Sequence, residues 1–433
     1  MQKYTSCLEY FKLFLFSIYM LFLPIAHTAA VQSISLGLFI FLILICDFRN
    51  LNIKNLLYLK NLIVVFLLFL VVSYFSLFYT VDFKESLKEI NSELLKKIVV
   101  MLFMFLYFST LPKNKIKYYI FIIFAVFIVH TLINLFTWYL SGFSLSTRTG
   151  GLLDGYLHGG GGERFAIWAC YAFAFSLGVF YFLNKKVGFL CILLSLISIF
   201  TTHVRASYLA SLILIVIFVF MFIKSKFIKF GFVFLLLSIF VGLYDKTSSL
   251  NNRYNVAKAV DYINLLQNSP QGMGEEYKQK NLDFSISSRL SMWKAALLYK
   301  SDSIFTPSGY GRFLYGKTIR LADKENQPFA IFAQVHNEFM GIFFSLGFFG
   351  LIIFLFIWYF YFKFGLNLMK NSTENLYKFF GFFGFFGGIS FVINLVFGSF
   401  FGDSEAAFFY VLFGMICAIL LNGDKNENLT YKK

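Results

Sequence analysis

HNEFMGIFFSLGFFGL, residues 336–351, marks the point where a long polar segment gives way to an apolar helix. The run continues through IIFLFIWYF to residue 360. A bilayer demands such a run, since about 20 apolar residues are needed to cross a hydrocarbon core of roughly 30 Å. His336 therefore sits at a membrane edge. Earlier in the chain, Arg148, Arg205 and, within the polar segment, Arg289 stand at comparable positions. A titratable base with several fixed cations suggests chemistry on a lipid-linked anion, provided that one membrane face carries them all.

Composition sets the class. The 433 residues are 59% hydrophobic and 14% charged, with a mean hydropathy of +0.72. No soluble domain of this length needs so much apolar surface, so the fold class is an all-α polytopic membrane protein. The 63 Phe are read as composition bias and ordinary apolar packing. The net charge of +16 does not point to nucleic acid, because most lysines fall in short clusters between apolar spans. Five scattered cysteines (7, 46, 170, 191 and 417) argue against a disulfide framework or a paired-cysteine metal site.

Twelve spans are expected, at about 11–26, 29–47, 61–80, 97–112, 118–141, 164–184, 187–203, 206–223, 227–245, 338–363, 376–401 and 403–422. Lys3, Lys12 and the AHTAA stretch give the first span the look of a secretory signal. Eleven further spans favour its retention as a membrane helix. Three regions follow: 1–245 with nine helices, 246–337 as a large polar loop with short helices, and 338–433 with three helices and a tail.

Lysine sets the orientation. Clusters at Lys54 and Lys60, Lys113 to Lys117, Lys185 and Lys186, Lys224 to Lys229, and Lys363 to Lys378 alternate with nearly lysine-free connections. The lysine-rich side is cytoplasmic by the positive-inside rule, with the N-terminus inside. The connection at about 81–96 balances acids and bases, and its apolar residues Phe83, Leu87, Ile90 and Leu94 recur at helical spacing. An amphipathic helix lying on the membrane surface is expected there. Arginine departs from the lysine pattern: only Arg49 falls inside, while Arg148, Arg164, Arg205, Arg253, Arg289, Arg312 and Arg320 fall outside. A guanidinium is a planar fork suited to phosphate oxygens. Arg148 and Arg205, flanked by apolar helices, are read as functional, whereas Arg253, Arg312 and Arg320 are read as surface salt-bridge residues. Glu163 and Arg164 are expected to neutralise each other.

Within the spans, His130, Asn134 and Asn394 are the notable polar residues. An ion-coupled carrier would place more charge there. His130 is read as a helix–helix hydrogen-bonding residue. The glycines 159–162 are not a P-loop, since no Gly-Lys-Ser/Thr follows. Arg289 and Trp293 lie one turn apart on an expected helix, so Trp293 offers either cation–π support or a sugar-stacking platform. Asn337, beside His336, is a candidate substrate contact. The turn-rich TPSGYGRF is expected to fold back as a partial lid. An imidazole near neutral pKa can take a proton from a sugar hydroxyl, which makes His336 the candidate base.

Residues 336–355, HVRASYLASLILI at 203–215, and SSRLSMWKAAL followed by PSGYGRF resemble the motifs of the O-antigen ligase and polymerase superfamily (the WaaL/Wzy type). STRTGGLLDGY at 146–156 resembles its outer-loop Arg-Gly pattern. The resemblance covers about 145–360. It implies a GT-C-like membrane fold with a large periplasmic loop between helices 9 and 10, in the bacterial inner membrane, with the active site on the periplasmic face. It implies transfer of a glycan from undecaprenyl diphosphate to a sugar hydroxyl of a lipid A-core acceptor, with no metal or cofactor and with inversion. Arg205 and Arg289, assisted by Arg148, would bind the donor diphosphate, and His336 would be the general base. The run GGGGER departs from the family pattern. A polymerase of the same superfamily and a protein O-oligosaccharyltransferase stay open beside the ligase. A lipid-linked glycan flippase is the non-enzyme alternative, and it would need cations in mid-span and broken helices.

Overall fold

The computed structural model describes residues 2–25, 27–144, 148–151, 162–227, 229–231, 234, 284–322, 333–401 and 404–430. Most of the expected span at 227–245, the polar segment through residue 283 with Arg253, and glycines 159–161 lie outside the described residues.

Every regular element among the described residues is a helix. The first half carries α1 (Gln2–Phe22), α2 (Ala29–Cys46), α3 (Lys60–Phe75), α4 (Phe83–Glu89), α5 (Lys96–Phe108) and α6 (Lys113–Leu140). Then come α7 (Gly162–Gly178), α8 (Lys185–Thr201) and α9 (Arg205–Phe222). The polar segment contributes α10 (Phe284–Lys300) and α11 (Leu314–Ala322). The chain closes with α12 (Glu338–Asn371), α13 (Asn375–Val396) and α14 (Ser404–Thr430).

Eight helical stretches are long and apolar enough to cross a membrane: Ala29–Cys46, Ile53–Tyr79, Lys113–Leu140, Glu163–Leu183, Arg205–Phe222, Glu338–Asn371, Asn375–Val396 and Ser404–Gly423. The protein is a multi-pass membrane protein. The spans expected at 11–26, 97–112 and 187–203 also form helices, α1, α5 and α8, but are not among these eight. For α8 the reason is length, since 17 residues rise only about 26 Å; α5 instead ends a longer helix from Phe83 whose first turns are rich in charge, with Lys84, Glu85, Lys88, Glu89, Glu93, Lys96 and Lys97. Local chemistry sets the α8 boundary, where the Asn184 side chain accepts hydrogen bonds from the amides of Lys186 and Val187.

The segment at 81–96 also differs from expectation. It is helical, but α4 continues through a π-helical stretch, Ile90–Leu95, straight into α5. Ile90 and Leu94 are fully buried, while Phe83 is exposed. Burying the inner face against the bundle draws this helix into the fold rather than leaving it flat on the membrane.

The long helices alternate in direction, so His27, Thr80, Arg148, His203 and His336 share one end of the bundle. The lysine clusters occupy the other end. There Lys12 pairs with Glu9 and, at 2.7 Å, with Asp47, while Lys115 reaches Glu9 at 2.9 Å. Lys113 pairs with Glu374. The polar residues inside the bundle hold helices together. His130 Nε2 meets the Leu21 carbonyl at 2.9 Å. Asn134 donates to Ser198 and Thr201, both at 2.9 Å, and accepts from the Gly151 amide at 3.0 Å. Ser207 donates to Asn394 Oδ1 at 2.9 Å.

The phenylalanines do more than fill space. Rings of α12, α13 and α14 touch in a continuous network: Tyr361 and Trp358 lie 4.6 and 4.8 Å from Phe409, and Phe391 lies 6.0 Å from Trp358. Such offset and edge-on pairs contribute beyond area burial. Between α12 and α13 the backbones meet directly. A Cβ on Gly381 would come within 2.4 Å of the Met369 amide nitrogen, so only glycine fits there.

Candidate active site

The site is built where the polar segment returns to the bundle. In α10, Met292 and Ala296 are buried with Tyr315 and Ile319 of α11, Val335, and Phe344 of α12. This small core is shared with a membrane helix, which matches a segment too polar to form a core alone. Tyr315 donates its hydroxyl to the Met292 carbonyl at 3.1 Å. Lys300, at the end of α10, is 1% exposed and donates to the Thr306 carbonyl (2.6 Å) and Ser308 Oγ (2.5 Å). Burial pushes its ammonium pKa down to about 8.

The turn after α10 is stitched into the bundle. The Ser308 amide donates to the Ser345 carbonyl and the Phe348 amide to the Ile304 carbonyl, both at 2.9 Å. These bonds straddle Gly347, which breaks the α12 helix at φ +72°. A Cβ on Gly347 would sit 2.6 Å from the Phe305 carbonyl oxygen. Farther along, the Tyr310 amide donates to Ser76 Oγ at 2.8 Å, and Ser86 donates to the Tyr310 carbonyl at 2.6 Å. The Arg312 amide donates to Glu89 Oε2 at 2.7 Å, and its guanidinium reaches the Ser399 carbonyl at 3.3 Å. Arg312 is therefore a structural clasp rather than a surface salt-bridge residue. TPSGYGRF docks between helices as a fixed insert.

His336 stands just before α12 in a left-handed backbone conformation, φ +53°. A non-glycine residue there costs about 1–3 kcal/mol, which the surrounding contacts must supply. On one side, Trp293 Nε1 donates to the Val335 carbonyl at 3.1 Å. On the other, Asn337 is the N-cap of α12 and accepts from the Met340 amide at 3.0 Å. Both residues singled out as substrate contacts thus fix the backbone on either side of the histidine.

The charges around the imidazole come from two helices. Arg289, one turn before Trp293 on α10, lies 3.8 Å from the Glu163 carboxylate at the start of α7. Glu163 thus turns to Arg289 rather than being matched to its neighbour Arg164. The half-buried His336 is held below its ordinary pKa of 6.5, first by burial and then by the Arg289 charge, with Glu163 opposing. A neutral imidazole at physiological pH is a competent proton acceptor. Sequence reasoning had set Glu163 aside because its nearest opposite charge in the chain is adjacent.

Arg148 is anchored at the α8–α9 turn, which leads into Arg205. Arg148 Nε donates to the Thr202 carbonyl at 3.2 Å, and the Thr149 amide donates to the Thr201 carbonyl at 3.0 Å. Arg205 is the first residue of α9. The exposed Arg148 is thereby pinned to Thr202, which precedes Arg205 by three residues. The structure forms two groups at one end of the bundle: His336, Arg289 and Glu163, and Arg148 with Arg205. No group of three or more His, Cys, Asp or Glu side chains that could hold a metal ion occurs among the described residues.

Residues 190–355 match the family model described as O-antigen ligase, in support of the O-antigen ligase and polymerase superfamily. The match includes Arg205, Arg289, Trp293, His336 and Asn337, and leaves Arg148 and Glu163 outside. None of the curated proteins matches the chain.

Proposed function

We propose that this multi-pass protein of the O-antigen ligase and polymerase superfamily is a ligase. It moves a glycan from undecaprenyl diphosphate to a sugar hydroxyl on a lipid A-core acceptor, at the periplasmic face of the inner membrane. The observation that carries the reading is the imidazole of His336, fixed in a strained backbone beside Arg289 and kept in its neutral form.

The chemistry follows from these groups. His336 accepts the proton of the acceptor hydroxyl as its oxygen bonds to the anomeric carbon. The bond from that carbon to the diphosphate oxygen breaks on the opposite face, so the configuration inverts. Negative charge develops on the leaving diphosphate, where Arg289 and Arg205 stabilise it, with Arg148 assisting. Guanidinium forks suit this task, since they stay charged when partly desolvated. Glu163 orients Arg289 and tempers its effect on the imidazole. GT-C-like architecture and a metal-independent route belong to the same proposal.

Mid-span polar residues argue against a flippase. His130, Asn134 and Asn394 are engaged in hydrogen bonds between structural elements, and transport would call for charge along a path. Deletion of the gene in its native host tests the proposal. A ligase loss leaves core without attached glycan and accumulates lipid-linked polymer. Core capped by a single repeat with no long lipid-linked chains would instead identify a polymerase. Unchanged lipopolysaccharide would remove both and point to protein glycosylation.

A further inference from the structure

A second cavity lies beside the His336 site, at the same end of the bundle. Its volume is about 250 Å³, and it sits between α1, α2, the stretch entering α5, the start of α7 and the start of α14. A single buried water needs roughly 10–15 Å³, so this space admits a molecule of many atoms.

Hydroxyls and an amide give the lining its character: Thr28, Gln32, Ser33, Ser92 and Ser404. Gln32 directs its Nε2 to the Phe22 carbonyl at 2.9 Å and to Thr28 Oγ1 at 3.0 Å, which leaves its Oε1 as an acceptor. Lys96 donates to Ser33 Oγ at 3.3 Å, which leaves the Ser33 hydroxyl proton to donate. Ser33 and Ser92 are both exposed. The charged groups are already engaged. Lys97 is held by Glu93 at 2.7 Å, and Arg164 has an interaction of its own. Ala29, Leu36, Val100 and Ala407 complete the wall with apolar surface. A sugar combines the same two characters, hydroxyls that donate and accept around its edge and C–H groups on its faces. An anion only accepts, so the amide oxygen of Gln32 suits a sugar hydroxyl better than a phosphate.

The cavity borders the site at two points. Glu93 lines it and also lines a smaller cavity of about 30 Å³. That smaller space is walled by Val335 and Glu338, which bracket His336 and Asn337 in the chain. At the second point, Arg164 follows Glu163, whose carboxylate lies 3.8 Å from Arg289. With the donor diphosphate given to Arg289 and Arg205, this flank is left for the other substrate.

We propose that this cavity is the acceptor subsite, holding a neutral sugar of the core glycan through Gln32, Ser33 and Ser92. The assignment rests on the ligase reading and adds to it the side from which the acceptor approaches His336.

The test uses the full-length protein in phosphatidylcholine nanodiscs, read by native mass spectrometry. It is titrated with lipid A-core from the native host and separately with lipid A stripped of its core sugars. The wild type should bind lipid A-core saturably and about tenfold more tightly than the stripped lipid. Ser33→Leu and Ser92→Leu place bulk in the cavity from exposed positions. Each should weaken binding of lipid A-core about tenfold and leave binding of the stripped lipid and of undecaprenyl diphosphate-linked glycan unchanged. Retained donor binding also reports a folded protein. Ser92→Ala removes one exposed hydroxyl, should weaken core binding severalfold, and keeps the test valid if a leucine variant does not fold. Wild-type affinity for lipid A-core in all three variants would overturn the subsite and leave the ligase reading standing. A wild type that binds the stripped lipid as tightly as lipid A-core would overturn the ligase reading and the subsite with it. Weakened donor binding with core binding intact would overturn the assignment and give the cavity to the donor glycan.

Discussion

Replacing Trp293 by Phe tests how the site is held. The ring remains, so packing against Met292 and Val335 survives; only the indole N–H is lost. That donor makes a 3.1 Å bond to the Val335 carbonyl, and Val335 is 3% exposed. Water cannot easily replace it, so the orphaned acceptor costs about 1–3 kcal/mol. The next residue is His336 at φ +53°, a conformation costing about 1–3 kcal/mol in its own right. The two energies are comparable, so removing the bond lets the backbone relax and the imidazole drift. A loss of about 1–2 kcal/mol of transition-state stabilisation corresponds to roughly a 5- to 30-fold fall in kcat. The assay is transfer of a lipid-linked glycan to acceptor by purified enzyme, with kcat and donor KM determined separately. A positioning role predicts a fall in kcat with KM within about threefold. A raised acceptor KM at unchanged kcat would instead make Trp293 a sugar platform. Wild-type values for both would refute the role of the hydrogen bond.

Three further outcomes are expected. Glu163→Gln removes the charge that opposes Arg289 at His336, so the acid limb of the pH–kcat/KM profile should move to lower pH; a shift upward would contradict the arrangement. Arg289→Lys keeps the charge but loses the bidentate fork, and kcat/KM should fall roughly 10- to 100-fold, with full activity counting against a diphosphate clamp. Gly347→Ala must hold φ +72° and bring a Cβ to 2.6 Å from the Phe305 carbonyl. The cost is about 1–2 kcal/mol for the backbone plus about 1 kcal/mol for each disrupted hydrogen bond, read as a lower unfolding midpoint in detergent.

Much of the architecture was legible in the chain. Eight of the twelve expected spans coincide with membrane-length helices, because a 20-residue apolar run has few alternatives in a bilayer. Hydropathy makes a full span of the short α8 because it blurs ends that caps and turns define. The helix at 83–108 shows a different limit. Its apolar spacing revealed a helix but could not say whether lipid or protein would cover that face. At the site, the membrane-edge positions of His336, Arg289, Arg205 and Arg148 were readable. Glu163 was not, since its partner lies 126 positions away and tertiary packing alone selects it. The roles of Trp293 and Asn337 were likewise hidden, because a hydrogen bond to a backbone carbonyl or amide leaves no trace in residue type.

The most direct test of the central claim is single-turnover transfer by His336→Ala in reconstituted membranes, with undecaprenyl diphosphate-linked glycan as donor and lipid A-core as acceptor. General-base loss predicts a rate about 10²- to 10⁴-fold below wild type with donor binding retained. Transfer at the wild-type rate, by protein equally abundant in the membrane, would contradict His336 as the base.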